Sequence, residues 1–464
     1  MGLMPQDAYY FFYGQHLALS YFDHPPMLAY TLRIFTDVLG RHAWVIKLAD
    51  TLVTIGTLLV FYRLATLFLS RRRAWHAGLL LYSTLMITLL SLVSTPDVPL
   101  MLWWGVSLLA LYKAVFEGRR MAWIGVGIAM GLAFDSKYTG IFLPAGTILF
   151  LLLCAPYRRY LWSPWLLLAI AFFLLTISPV VIWNVDNQFA SFRFQSSGRV
   201  GGLELHPMDF FGVIGHQAFI LGPVLLGALV YYLYKAFGHY RRKAWRVPAR
   251  QLFLFCFFLP LFLIFMLISP IYWVKLNWMM PAYITGIIWV SAWMGIRYIR
   301  WQWVVSLVVH LAMAVEILFY PVPIHSDDTM IGWEGLGKGV QAVRNEYPDD
   351  FIFSADDYKT SAMLNFYLHE MVYSRNVIGE NALQFDYIGT NLRRLEGRNA
   401  IFINSLTDVD DDKDEQAFVK DLRPYFAGIE PLPPIIVKLH GRVVRKFLVF
   451  RCFDYQPPTQ PAAE

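Results

Sequence analysis

Long apolar runs separated by short polar segments fill most of the first 320 positions, at roughly 43–69, 75–94, 97–116, 121–135, 138–155, 161–184, 208–235, 251–269, 278–295 and 301–320. A helix crossing ~30 Å of hydrocarbon needs about 20 mostly apolar residues, so the pattern predicts about ten spans. The run 121–135 is short and reads as a half-span or a tilted partner of the run that follows. Near Pro321 the pattern changes. Short apolar strands at Phe351–Ser354, Ala400–Asn404 and Val443–Phe453 alternate with helical patterns at Trp333–Tyr347, Tyr358–Leu368 and Asp414–Tyr425. That alternation predicts a small α/β domain. The Pro-rich end, Pro457 to Ala463, reads as a disordered tail.

The first 42 residues are too polar to span, yet dense in rings: Asp7-Ala8-Tyr9-Tyr10-Phe11-Phe12-Tyr13, then Tyr21-Phe22-Asp23-His24-Pro25-Pro26. The double proline stops any helix there. Residues 27–40 then form an amphipathic pattern, with Leu28, Leu32, Phe35 and Leu39 on one face, which predicts a helix lying in the membrane interface. Three parts result: a first loop over 1–42, a helical membrane domain over 43–320, and an α/β domain over 321–464.

Composition agrees with a membrane protein. Of 464 residues 57% are hydrophobic, 16% charged and 17% aromatic, and mean hydropathy is +0.47. A net charge of +6 is compatible with nucleic-acid binding, but its distribution argues for topology instead. Arg71–Arg73, Lys113 with Arg119 and Arg120, Arg158 with Arg159, Arg297 with Arg300, and the cluster Lys235 to Arg250 all fall in one alternating set of loops. Lys and Arg concentrate in cytoplasmic loops. The first loop, the loops near 94–97, 135–138, 185–207 and 269–277, and the α/β domain are therefore expected outside, and no nucleic-acid partner is expected. A chain that starts outside without a leading helix suggests a first span missing upstream. Cys154, Cys256 and Cys452 fit no metal spacing and read as packing residues.

Candidate chemistry gathers in the outer loops. Asp7 and Asp23 sit among rings at the membrane surface, where desolvation is expected to raise carboxylate pKa values. Asp97 follows Ser94-Thr95-Pro96 at the start of a helix, where a simple N-terminal cap is the competing reading. Lys137 and Tyr138 in Ser136-Lys137-Tyr138-Thr139-Gly140, Arg193 and Arg199 after Trp183-Asn184, and Lys275 with Asn277 place cations, amides and rings on the same side. Such groups suit a lipid-linked phosphate, although each alone is an ordinary interfacial anchor. Within the spans, Asp50, His310 and Glu316 are isolated ionisable residues. Paired helix breaks in matching halves, expected of a transporter, are not seen. The glycine cluster Gly332–Gly339 lacks a phosphate-loop ending and reads as a helix start.

The ordered motifs Asp-Ala-Tyr-Tyr, Tyr-Phe-Asp-His-Pro-Pro, Thr-Pro-Asp-Val-Pro-Leu, Ser-Lys-Tyr-Thr-Gly and Trp-Asn with Ser-Phe-Arg-Phe-Gln resemble those of bacterial GT-C glycosyltransferases. The likeness is to the branch of protein O-mannosyltransferases, lipid A aminoarabinose transferases and lipopolysaccharide-core galacturonosyltransferases, and covers about residues 5–290. It implies a GT-C-like fold and an inverting transfer from a polyprenyl-phosphate sugar donor to a glycolipid or lipopolysaccharide acceptor on the periplasmic side of the bacterial inner membrane. Family members carry Asp-Glu directly before Ala-Tyr-Tyr, whereas this chain has Gln6-Asp7. The base is then Asp7, with Asp97 and Asp23 as alternatives. Donor contacts are expected from Tyr9, Tyr10, His24, Lys137, Tyr138, Arg193, Arg199, Lys275 and Asn277. A divalent cation shared by Asp7 and Asp97 stays open, because no ligand spacing demands one. Competing readings are a flippase of lipid-linked sugar, a protein O-glycosyltransferase and a non-catalytic assembly protein.

Overall fold

A computed structural model describes residues 2–196, 205–322, 324, 326–406 and 414–458. Arg199, the acidic run Asp408–Asp412 and all but the start of the Pro-rich tail lie outside the described residues. The chain packs as two compact units, one from Met1–Ala18, Ala29–Ile46 and Glu316–Glu464, the other from Leu19–Leu28 and Lys47–Val315.

The larger unit is helical. Every apolar run carries helix, but the runs differ in length and continuity. Among the described residues five helices are long and apolar enough to cross a membrane: Ala43–Phe68, Asp97–Val115, Pro164–Asp186, Ala249–Ile268 and Ile296–Phe319. Two bent pairs bring the number to seven if each is one span. Arg71–Tyr82 and Leu85–Leu92 meet at 60°, and Pro207–Leu221 and Pro223–Arg242 meet at 113°. The second bend has a local cause. Gly222 adopts φ +86°, a region that L side chains rarely adopt, and Pro223 then opens a new helix with its ring in place of an N–H. The remaining runs give shorter apolar helices, Ala122–Ser136, Tyr138–Leu153 and Met280–Ser291. This is a membrane protein whose apolar stretches are more broken than their composition reveals.

Small residues set the closest helix packing. On the Ala122–Ser136 helix, Gly127 and Gly131 lie one turn apart and face the Pro164–Asp186 helix. A Cβ at Gly127 would stand 2.2 Å from the Ala169 carbonyl oxygen, and one at Gly131 2.5 Å from the Thr176 Cβ. In an apolar solvent, such close backbone approach supplies the dispersion contact that holds helices together. It also fixes where the Ala122–Ser136 helix ends, immediately before Lys137.

The second unit contains a four-stranded mixed sheet. Strands β1 (Phe351–Phe353), β2 (Ala400–Leu406), β3 (Phe426–Leu439) and β4 (Arg442–Tyr455) lie in the order β1-β2-β4-β3. The β1–β2 pair is parallel and the others antiparallel. Helices Trp333–Glu346, Lys359–Leu368 and Asp414–Leu422 fall within about three residues of the predicted bounds. Strand β3 was not anticipated, because Pro431, Pro433 and Pro434 interrupt it. Its edge position removes the conflict, since proline is tolerated where one side of the ladder is unpaired. A register shift between Leu432 and Ile435 takes up the double proline.

Gly332, at φ +87°, starts the Trp333–Glu346 helix as expected of the glycine cluster. Arg445 anchors that corner. Its guanidinium donates to Asp327 Oδ1 at 2.8 Å, to the Ile331 carbonyl at 2.8 Å and to Thr329 Oγ1 at 2.9 Å, and stacks 4.1 Å from the Trp333 ring centroid.

The predicted helix at 27–40 is present as Met27–Leu39, starting directly after the double proline. The ring-rich segment before it, expected as loop, is also helical over Pro5–Gln15. Pro5 at its first position and the Asp7 carboxylate, which accepts the Met4 backbone N–H at 2.7 Å, satisfy the start of that helix.

Candidate active site

In the helical unit three of the predicted site residues converge. Lys137 is the residue at which the Ala122–Ser136 helix stops. Its backbone is extended (φ −158°, ψ 139°) between that helix and a tight 3₁₀ turn over Tyr138–Ile141. Gly140 closes this turn, its N–H bonded to the Lys137 carbonyl at 2.8 Å. A Cβ at Gly140 would lie 2.5 Å from the Phe134 backbone nitrogen, so the Ser-Lys-Tyr-Thr-Gly motif needs glycine where the turn folds back on its own helix.

The Lys137 ammonium donates to both carboxylate oxygens of Asp97 at 2.9 Å, and the Asn277 amide donates to Asp97 Oδ2 at 2.5 Å. Asp97 is 1% exposed and Lys137 7%. Asp97 occupies the first turn of its helix, but among the described residues none of the hydrogen bonds to its carboxylate comes from that helix's backbone. Its bonds run instead to Lys137, 40 positions on, and Asn277, 180 positions on. A carboxylate accepting from an ammonium and an amide together is held in one orientation. The arrangement fixes the ammonium in place.

Lys137 also lines a cavity of about 240 Å³ with His24, Tyr138, Gln195, Phe265 and Trp278. The lining thus combines a cation and polar groups with aromatic and apolar side chains. Tyr138 is positioned by a 2.6 Å hydrogen bond between its hydroxyl and Ser191 Oγ. Gln195 donates to the backbone carbonyl of Asp23, tying the Tyr-Phe-Asp-His loop to the Ala190–Gln195 helix. Asp23 itself is buried.

Not every predicted residue reaches this cavity. Arg193 is exposed and donates to the Gln188 carbonyl, and Lys275 is exposed, so neither is among the lining residues. Asp50, read as an isolated acid in a span, accepts from Ser94 Oγ at 2.6 Å. Gln195, Trp278 and Phe265 were not singled out as site residues, although Gln195 ends the Ser-Phe-Arg-Phe-Gln motif and Trp278 directly follows Asn277. The nearness of those two to Arg193 and Lys275 in the sequence was the available signal.

Asp7, Tyr9 and Tyr10 belong to the other unit. Tyr9 stacks on Tyr358 at 4.2 Å between centroids, and its hydroxyl accepts the Gln384 N–H at 3.2 Å. Tyr10 packs edge-on to Tyr13 at 5.4 Å. Asp7 is fully buried. Both tyrosines are thus engaged in packing within their own unit. Arg41 lies 4.8 Å over the Phe11 ring and donates to the Asn365 carbonyl, and burial lowers its pKa to about 10. Among the described residues no group of three His, Cys, Asp or Glu side chains is placed to hold a metal ion.

Comparison with known proteins places this geometry in context. The family model described as dolichyl-phosphate-mannose-protein mannosyltransferase matches residues 23–183, the stretch that carries Asp23, His24, Asp97, Lys137 and Tyr138. The chain is 25% identical over 301 residues to the lipid A galacturonosyltransferase RgtD of Rhizobium johnstonii, which takes in 64% of this chain. The match spans 60% of the length of that curated relative. In fold it is similar to ArnT from Cupriavidus metallidurans, solved in the apo state and bound to undecaprenyl phosphate. Each of those structures gives a TM-score of 0.62 at 15% identity, over 97% of this chain and 94% of ArnT. At that identity the likeness shows a shared fold. Together these findings bear out the resemblance to GT-C glycosyltransferases that the motifs carry.

Proposed function

We propose that the chain transfers a sugar from a polyprenyl-phosphate donor to a lipid A or lipopolysaccharide acceptor at the outer face of the bacterial inner membrane. The observation that carries this reading is the Lys137 ammonium, fixed by an Asp97 carboxylate that also accepts from Asn277, at the wall of a cavity with both polar and apolar lining. In the proposed step an acceptor hydroxyl oxygen attacks the anomeric carbon. The carbon–oxygen bond to phosphate breaks, and its electron pair leaves with the polyprenyl phosphate. Lys137 meets the developing negative charge, with Tyr138 and His24 beside it. Electrostatic groups of this kind, set in place before the reaction, typically contribute 10²–10³-fold. Asp97 orients Lys137 in this scheme. A second carboxylate must therefore take the acceptor proton, and Asp7 is first choice, with Asp23 the alternative. General-base help of that sort typically contributes 10²–10⁴-fold.

Three features support the reading: the RgtD similarity, the ArnT-like fold and the Lys/Arg bias of the loops, which favours a C-terminal α/β unit on the periplasmic side. The test is transfer of labelled sugars from a panel of polyprenyl-phosphate donors onto extracted envelope lipids, with wild type and Asp7→Asn compared. Labelled lipid with wild type and at least tenfold less with Asp7→Asn is expected. Label appearing on protein instead of lipid would redirect the acceptor assignment, and passage of intact donor across liposomes without product would overturn the transferase reading.

A further inference from the structure

A second cavity in the helical unit, of about 610 Å³, is lined by Lys235, His239, Lys243 and Arg246 together with Tyr231 and Trp293. It sits where the Pro223–Arg242 helix ends and the Ala249–Ile268 helix begins, flanked by the end of the Met280–Ser291 helix. Among the described residues no carboxylate lines it, and the sequence has no Asp or Glu between Asp209 and Glu316. Cations gathered without acids leave a strong positive potential in a partly enclosed space.

Cations near a helix C-terminus often do no more than complement the helix dipole. His239, Arg241 and Arg242 fill the last turn of this helix and suffice for that. Lys235 lies about one turn earlier, its ammonium 5.5 Å from the Tyr231 ring centroid, and Lys243 and Arg246 lie beyond the helix end. The chain past the helix turns back sharply. Ala244 and Trp245 both have positive φ, at 50° and 60°, and the Trp245 N–H bonds to the Tyr240 carbonyl at 2.8 Å. That turn presents Lys243 and Arg246 to the same hollow as Lys235.

A third cavity, of about 520 Å³, shares Ala236 and Tyr240 with the second. Its remaining walls are almost wholly apolar, among them Leu149, Leu153, Phe237 and Leu263. A cationic hollow rimmed by tyrosine and tryptophan beside an apolar furrow matches a molecule with an anionic head and a hydrocarbon chain. We propose that these two cavities form a binding site for an anionic phospholipid. The phosphate headgroup is held by Lys235, Lys243 and Arg246, and an acyl chain lies along the apolar furrow past Ala236. This site shares no residue with the Asp97–Lys137 cavity, so the proposal stands apart from the transferase reading.

Native mass spectrometry of the full, delipidated chain in a mild detergent tests it, with phosphatidylglycerol and phosphatidylcholine of matched chains as probes. Each Lys or Arg near an anionic lipid typically contributes about fivefold in affinity. Phosphatidylglycerol is expected to bind at least ~10-fold tighter than phosphatidylcholine, and a Lys235→Gln, Lys243→Gln, Arg246→Gln variant is expected to lose that preference. Millimolar inorganic phosphate should leave the bound lipid in place, and Ala236→Phe, which fills the furrow but keeps every cation, should release it. Equal retention of the two lipids by wild type, or unchanged preference in either variant, would overturn the proposal. So would displacement by inorganic phosphate, which would assign the hollow to free phosphate.

Discussion

Replacing Asp97 by Asn removes one charge from a buried pair and leaves Lys137 without its counter-ion. The exposed fractions of the two side chains are 1% for Asp97 and 9% for Lys137, so water does not take over the role of the carboxylate. At 2.9 Å the gross attraction at an effective dielectric of about 20 is ~6 kcal/mol, most of it offset by the desolvation of both ions. Losing one partner is costlier than losing both, and a single removal typically destabilises by ~3–5 kcal/mol. The introduced asparagine would keep one acceptor oxygen, which at the Oδ2 position still serves Lys137 and Asn277, but its amide N–H2 at the Oδ1 position would face the Lys137 ammonium, donor against donor, so one hydrogen bond is lost as well. Adding Lys137→Met to Asp97→Asn removes the stranded ammonium and should recover most of the stability, to within ~1–2 kcal/mol of wild type. The assay is thermal unfolding in detergent of wild type, both single variants and the double variant, with sugar transfer measured on the same preparations. Expected is an unstable, inactive Asp97→Asn and a stable, still inactive double variant. The reasoning fails if Asp97→Asn melts with wild type, or if the double variant is no more stable than Asp97→Asn.

Three further outcomes are expected. Gly140→Ala places a methyl group 2.5 Å from the Phe134 nitrogen and forces the turn that carries Lys137 to move, so turnover should fall at least tenfold while expression persists. Arg445→Lys loses the planar fork that reaches Asp327, Ile331 and Thr329 together, and should lower stability by ~2–4 kcal/mol, read as early proteolysis of the α/β unit. The half-buried Asp356 carboxyl is raised to about 7, chiefly by desolvation and against the pull of its bonds from Thr360 and Ser354. The folded state therefore keeps a proton that the unfolded chain gives up near pH 4. Its contribution to stability is greatest below about pH 4 and declines as pH rises to about 7. Asp356→Asn should flatten that decline, which melting curves at pH 5 and pH 8 will show.

The apolar runs were legible because a lipid-facing helix must be apolar along its whole length. Their breaks were harder to read. The run 208–235 passes through Gly222-Pro223 without losing hydrophobicity, yet the positive φ of Gly222 lets the chain turn by 113° there. Strand β3 was hidden for a different reason. Its prolines argue against any interior strand, and edge position is a property of the assembled sheet. In the site, Asp97, Lys137 and Asn277 were each legible as polar residues beside outer-loop motifs, but not as partners. Separations of 40 and 180 positions hold no local signal for contact. Tyr9 shows the converse: its place in a ring-rich motif pointed to a ligand, whereas its ring is stacked on Tyr358. Lys275 and Arg193 had the same sequence character as Lys137, and the break at the end of the Ala122–Ser136 helix distinguishes Lys137 from them.

The central claim is that Lys137, held by Asp97, neutralises the leaving polyprenyl phosphate. Single-turnover transfer from a polyprenyl-phosphate sugar, compared between wild type, Lys137→Met and Lys137→Arg, tests it most directly. The account predicts a rate at least ~100-fold lower for Lys137→Met and partial recovery for Lys137→Arg, with donor still bound by both. Transfer by Lys137→Met at the wild-type rate would contradict it.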